Sequence, residues 1–186
     1  MAQQGSGASA GVGAPGADAL YRLTAAEEIK KLKARYFRGL DDKNWEGLYS
    51  IFAEDAVFDL RAVNSVRRLP GGDLVPPLGG DGQIFRGREA IVAMIRAAVE
   101  GLITVHHGHA PEIDVLTERT ARGIWALEDI LRFPSGELLL NGFGHYHETY
   151  EKAGADWQIK TSRLTRLHLA GGALSVPSQA RASAPG

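Results

Sequence analysis

The hydrophobic positions of this chain follow one period in its first half and another in its second. Ile29, Leu32, Tyr36 and Leu40 recur at spacings of three and four, the stripe of an amphipathic helix. Thr24, with Glu27 three residues later, predicts that this helix opens on a capping box. After the turn-prone "DDKN", Trp45, Leu48, Tyr49 and Phe52 mark a short second helix, and residues 55–62 ("DAVFDLRA") read as a strand. "GREAIVAMIRAAVEGL" predicts a third helix with Ile91, Ile95, Ala98 and Leu102 on one face. Beyond it come strands over "TVHHGHAPEIDVLT", "TARGIWALEDILRF", "ELLLNGFGHYHETYEK" and "WQIKTSRLTRLHL", with turn signals at "PSG" and "AGAD". Helices followed by a run of antiparallel hairpins give an α+β fold. A curved sheet wrapped over the long first helix forms a cone with a deep pocket, where polar side chains carry information about function.

Residues 1–20 and 171–186 are rich in Gly, Ala and Ser and poor in large apolar side chains. They are expected to be disordered tails on a domain spanning 21–170. "PGGDLVPPLGGDG", within residues 64–87, reads as a long loop, a lid or a hairpin. A length of 186 residues suits one domain with a substantial core. A formal net charge of −1 argues against a nucleic-acid partner, which usually demands a basic excess. The absence of cysteine excludes disulfides, thiolate catalysis and Cys-ligated metals. No apolar run reaches the roughly 18 residues of a membrane span, and the N-terminus lacks the basic and apolar regions of a secretory signal. A cytoplasmic location with no membrane partner is therefore expected.

Period-two alternation in "ARGIWALEDILRF" puts Gly123, Trp125, Leu127, Asp129 and Leu131 on one face. A carboxylate among large apolar side chains needs a partner, and an arginine or a backbone amide would satisfy it structurally. Parity separates His106 from His107 and His109, and His145 and His147 form a second His-x-His pair. Two such pairs, with Glu112 nearby, allow a cupin-like metal site. The helix-first order and the missing cupin glycine spacing weigh against it, so no metal is expected. The other reading is proton transfer, because a histidine held by a carboxylate is a base tuned near neutral pH. Asp41, at the end of the helical stripe, is a candidate orienter for His106, and the Tyr36 hydroxyl could reach the same space. Taken singly, each has a plainer role: Tyr36 as a core aromatic with its hydroxyl at the surface, and Asp41 as a helix-end cap.

"IKKLKARYFRGLDDKNWEGLYSIFAEDAVF" together with "HHGHAPEIDVLTERTARGIWALEDILRF" resembles the SnoaL-like branch of the nuclear-transport-factor-2-like (NTF2-like), cone-fold superfamily. The likeness is strongest to bile-acid 7-alpha-dehydratase-like enzymes and more distant to scytalone dehydratase-like ones. It spans most of residues 24–168, without the tails or the 64–87 loop. The resemblance implies a catalytic set of Tyr36, Asp41, His106 and Asp129. His106 would be the base, Asp41 its orienter, Tyr36 a proton or hydrogen-bond donor, and Asp129 an acid or second orienter. Trp125, Leu127, Tyr146 and Phe58 are the expected substrate contacts. The implied activity is cofactor-independent elimination of water from a hydrophobic polycyclic or steroid-like alcohol, with a coenzyme A thioester among the candidate substrate forms. Two alternatives stand beside it. One is a ketosteroid-isomerase-like or polyketide-cyclase-like enzyme using the same His–Asp pair. The other is a non-catalytic binding module resembling an oxygenase small subunit. Assembly as a homodimer or homotrimer is also implied.

Overall fold

The structure is a computed structural model that describes residues 15–63, 66–67, 74–75 and 83–170. The first helix, α1, runs Pro15–Asp41, so it starts nine residues before the expected cap at Thr24, and residues 15–20 belong to it rather than to a tail. The reason is local. Proline suits the first helical position, Asp18 sits in the first turn, and Arg22 pairs with Asp18 one turn later. Thr24 is left exposed in mid-helix, and Glu27 pairs with Lys30. The expected stripe is buried throughout: Ile29, Leu32, Tyr36 and Leu40.

Helix α2, Trp45–Tyr49, is capped by the Asn44 side chain, which accepts from the Gly47 N–H. Strand β1 is Phe52–Asp59, three residues earlier than expected, because α2 closes within two turns. In the stretch read as a loop, β2 (Val66–Arg67) and β3 (Leu74–Val75) pair as a hairpin, and β4 (Ile84–Arg86) lies antiparallel on β1. The rest of that stretch and the segment 171–186 lie outside the described residues. Helix α3, Arg88–Val99, buries Ile91, Val92, Ile95 and Val99. Ala98 is exposed, since the stripe drifts to Val92 and Val99 instead.

Four long strands follow: β5 (Ile103–Val115), β6 (Thr120–Arg132), β7 (Leu138–Ala153) and β8 (Asp156–Ala170). They form an antiparallel meander, and the sheet order is β3-β2-β8-β7-β6-β5, with β1 parallel to β8. Gly123, Trp125, Leu127 and Asp129 are buried while Arg122 and Ile124 are exposed, so the parity read from β6 holds. The concave side of the sheet packs on α1, chiefly through β5, while α3 packs on β1 and β4. The result is an α+β fold with a curved sheet around its N-terminal helices, and the concave side collects the polar residues described next. Among the described residues no helix is long and apolar enough to cross a membrane.

Candidate functional site

The last turn of α1 and the start of β5 bring Asp41 against His106. Nδ1 of His106 lies 2.7 Å from Oδ1 of Asp41, and the His106 backbone N–H donates to Oδ2 at 2.9 Å. A carboxylate only accepts, so Nδ1 carries the ring proton and Nε2 is left with a lone pair. The His106 side chain is 8% exposed and that of Asp41 is 24% exposed. Partial burial pushes the Asp41 carboxyl up. The hydrogen bonds and charge of His106, with the Thr104 hydroxyl, outweigh this and hold it below the usual carboxylate range. Phe37 stacks on the His106 ring at 6.5 Å and 13°. Gly108 makes room for it: a Cβ there would lie 2.3 Å from Phe37 Cε2.

Tyr36 sits one turn before Leu40, fully inside. Its ring meets Tyr146 edge-on at 6.0 Å. Burial, with the Tyr146 phenol adding to it, pushes the Tyr36 hydroxyl well above its ordinary pKa. Tyr36 is thus a neutral donor at every ordinary pH, not a core ring with its hydroxyl at the surface. Beneath these phenols lies a network absent from the sequence reading. Lys33 Nζ is 2.6 Å from Glu148 Oε1, with side chains 0% and 1% exposed, and it lies 3.6 Å from the Tyr146 ring centre and 4.2 Å from that of Tyr36. Glu148 also accepts from Tyr150 and Ser162. Burial pulls the Lys33 ammonium below its ordinary pKa although Glu148 opposes this. A signal for Lys33 existed. It lies four residues after Ile29 and three before Tyr36, on the buried stripe, but "KKLK" reads as a solvated run. Nothing local points to a partner 115 residues away.

Asp129 stands directly across from His106 in the β5–β6 register. Both its oxygens accept from the Arg166 guanidinium, at 2.7 and 2.5 Å. This is the arginine pairing that the strand pattern allowed, and it fixes Asp129 as the anchor of a buried cation. Arg166, on β8, was missed. It follows Leu164 by two residues on the inner face, a weak signal once the parity of β8 is known. Gly142 creates the space for the pair, since a Cβ there would fall 2.3 Å from Asp129 Oδ1 and 2.6 Å from Arg166 Nη1. Gly142→Ala is therefore expected to destabilise the protein by roughly 1–3 kcal/mol, the range for overpacking, measurable as a lowered urea midpoint.

The expected substrate contacts are all buried on the inner side. The indole N–H of Trp125 donates to Tyr150 at 2.7 Å, and Trp125 also borders Gly108 near Phe37. Tyr146 joins Tyr36 and Phe37, and Leu127 lies two residues from Asp129 on the same face. Phe58 packs on Phe52, whose ring meets Tyr36 edge-on, so it is one ring removed from the polar centre. His107 and His147 are exposed on the other side of the sheet, His109 is exposed where the β5–β6 register shifts between Gly108 and Pro111, and Glu112 lines an outer groove of about 600 Å³ with His147, Arg122 and Arg163. Among the described residues no three His, Asp or Glu side chains converge on one point. The sheet itself separates His106 from the other histidines.

A SnoaL-like domain model matches residues 21–163. A relative named "Probable cyclase FGR4" from Gibberella zeae is 27% identical over 146 residues, covering 77% of this chain and 92% of that protein. Among solved structures, one from Novosphingobium aromaticivorans, solved under the name of a scytalone dehydratase, superposes with a TM-score of 0.63 at 20% identity, over 81% of this chain and 89% of that one. The LinA-type3 hexachlorocyclohexane dehydrochlorinase of Novosphingobium barchaimii gives 0.61 at 16% identity, over 81% and 92%. With a family model covering most of its length and the same fold in these structures, the chain belongs to the SnoaL-like domain family.

Proposed function

We propose that the protein is a cofactor-independent acid–base enzyme, a dehydratase that removes water from a hydrophobic polycyclic or steroid-like alcohol. The observation that carries this reading is the His106–Asp41 pair, with its imidazole nearly buried and a neutral Tyr36 phenol on the same helix. Asp41 holds the Nδ1 proton, so Nε2 is free to take a proton from carbon next to a carbonyl or vinylogous position. Imidazolium formed there is stabilised by the Asp41 charge. Tyr36 gives its hydroxyl proton to the departing oxygen as the C–O bond breaks. Return of the first proton from His106 through solvent to the tyrosinate restores both groups, and the substrate has lost one water. The Asp129–Arg166 pair holds a fixed dipole beside the base, and the aromatic wall of Trp125, Tyr146 and Phe37 favours a flat apolar substrate.

The chemistry named for the relatives is compatible with a shared opening step, proton abstraction from carbon. The cyclase relative favours one second reading, enolisation followed by ring closure with no loss of water. A mass-spectrometric screen against hydroxylated 3-oxo-4-ene steroids and β-hydroxyketone polyketides separates the two. Products lighter by one water support the dehydratase, while products of unchanged mass support the cyclase or isomerase. A screen in which purified protein alters none of these substrates counts against both.

A further inference from the structure

The turn after α1 contains Lys43 at φ 58°, a left-handed conformation that glycine adopts freely and other residues rarely do. The strain has a visible counterpart. Lys43 Nζ donates to Thr104 Oγ1 at 2.7 Å, and Thr104 Oγ1 donates to Asp41 Oδ1 at 3.0 Å. That same Oδ1 takes the Nδ1 proton of His106. An ammonium can only donate, so the threonine oxygen must accept from it, and the single hydroxyl proton is left to point at Asp41. Thr104 is 6% exposed, so water does not replace this arrangement.

We infer that Lys43 and Thr104 are positioning residues of the dyad: they fix the Asp41 carboxylate, and the Lys43 charge sets the pH at which His106 takes up a proton. The inference deepens the reading of His106 as the base. A conformation that favours glycine is occupied by a residue whose side chain ends in this chain of hydrogen bonds, which points from strain to function. Among the described residues the charged and titratable groups around His106 are few. Asp41 and Tyr36 come from α1, and Lys43 from the turn. Asp129 comes from β6, already neutralised by Arg166 of β8, and Tyr146 from β7. Glu128 is engaged with His107 on the outer side. Among the described residues, the two charges next to the dyad without another charged partner are therefore those of Asp41 itself and Lys43. The negative charge favours imidazolium and the positive one opposes it. Partial burial draws the Lys43 ammonium downward while Asp41 pushes it back up, which fits two charges that feel one another through the threonine.

The test follows the ring resonances of His106 by NMR across pH, assigned by their loss in His106→Gln. Lys43→Met and Lys43→Gly are expected to raise the apparent pKa of His106 by about half a unit to one unit. Lys43→Arg is expected to keep it near the parent value. Lys43→Gly should leave the thermal midpoint equal or higher, because the turn is relieved of strain. A merely structural lysine would show the opposite pattern, a lower midpoint and an unmoved titration. If His106 titrates in Lys43→Met as in the parent, the inference is overturned. No substrate is needed, so a shifted titration in a protein that turns nothing over would keep the positioning role of Lys43 and Thr104 and end the enzyme reading.

Discussion

His106→Ala is expected to lower turnover about 10²- to 10⁴-fold, the usual contribution of a positioned general base, while the fold stays intact. The fold should survive because the imidazole is only one of the donors to Asp41. The backbone N–H of residue 106 and the Thr104 hydroxyl keep their bonds to the carboxylate. His106→Gln adds a second arm. An amide donor can satisfy Asp41 but cannot take up a proton near neutral pH, so it is expected to fall as far as alanine. Far-UV circular dichroism checks the fold, and initial rates on any substrate found in the screen check the chemistry. A His106→Ala protein that turns over substrate like the parent would sink the proposed mechanism.

Breaking the Lys33–Glu148 pair is expected to have the largest effect on stability. Removing one partner of a buried ion pair costs about 3–5 kcal/mol, because the remaining charge is left uncompensated. Lys33→Met leaves the Glu148 carboxylate, among the described residues, with the Tyr150 and Ser162 hydroxyls alone. Glu148→Gln leaves an ammonium against the rings of Tyr36, Phe37 and Tyr146, whose faces supply only part of what a carboxylate does. The double variant Lys33→Met/Glu148→Met removes both charges and is expected to cost less than the sum of the single replacements. Urea unfolding of the four proteins measures the coupling. Single costs below about 1 kcal/mol, ordinary for surface positions, would show that this pair does not hold the inner wall together. The pair lies under the phenols of Tyr36 and Tyr146, so loosening it should also degrade whatever those phenols do.

Much of the candidate site could be read before any coordinates. The helical period carried Tyr36 to the buried side and left Asp41 at its end, while strand parity set His106 apart from His107 and His109 and grouped Asp129 with Trp125 and Leu127. The resemblance then joined these positions into a set, and the fold brings Asp41 to His106 and Asp129 across from it. The boundaries were less legible. The Thr24 and Glu27 pattern has the spacing of a cap, but Ala17, Ala19, Leu20, Arg22 and Leu23 before it are good helix formers introduced by a proline, and helix propensity outweighed the capping signal. On α3, a strict spacing would have kept Ala98 inside. The real stripe widens to adjacent positions, as it does on a helix packed into a sheet.

The partnerships were decided elsewhere. The register shift opposite Thr149/Tyr150 leaves Lys160 as an extra residue on β8, so parity counted from Trp157 and Ile159 does not carry the inner face through to Arg166. Besides Asp129, each charged member of the interior, Lys33, Glu148 and Arg166, looks by composition like a surface residue. Its burial is tolerable only because a particular partner arrives from a distant element. The sequence by itself determined the inward stripe of α1 and the inward face of β6, because periodicity is a local property of helix and strand. Only the tertiary structure decided which charge neutralises which, because a buried charge is settled by the element that folds over it.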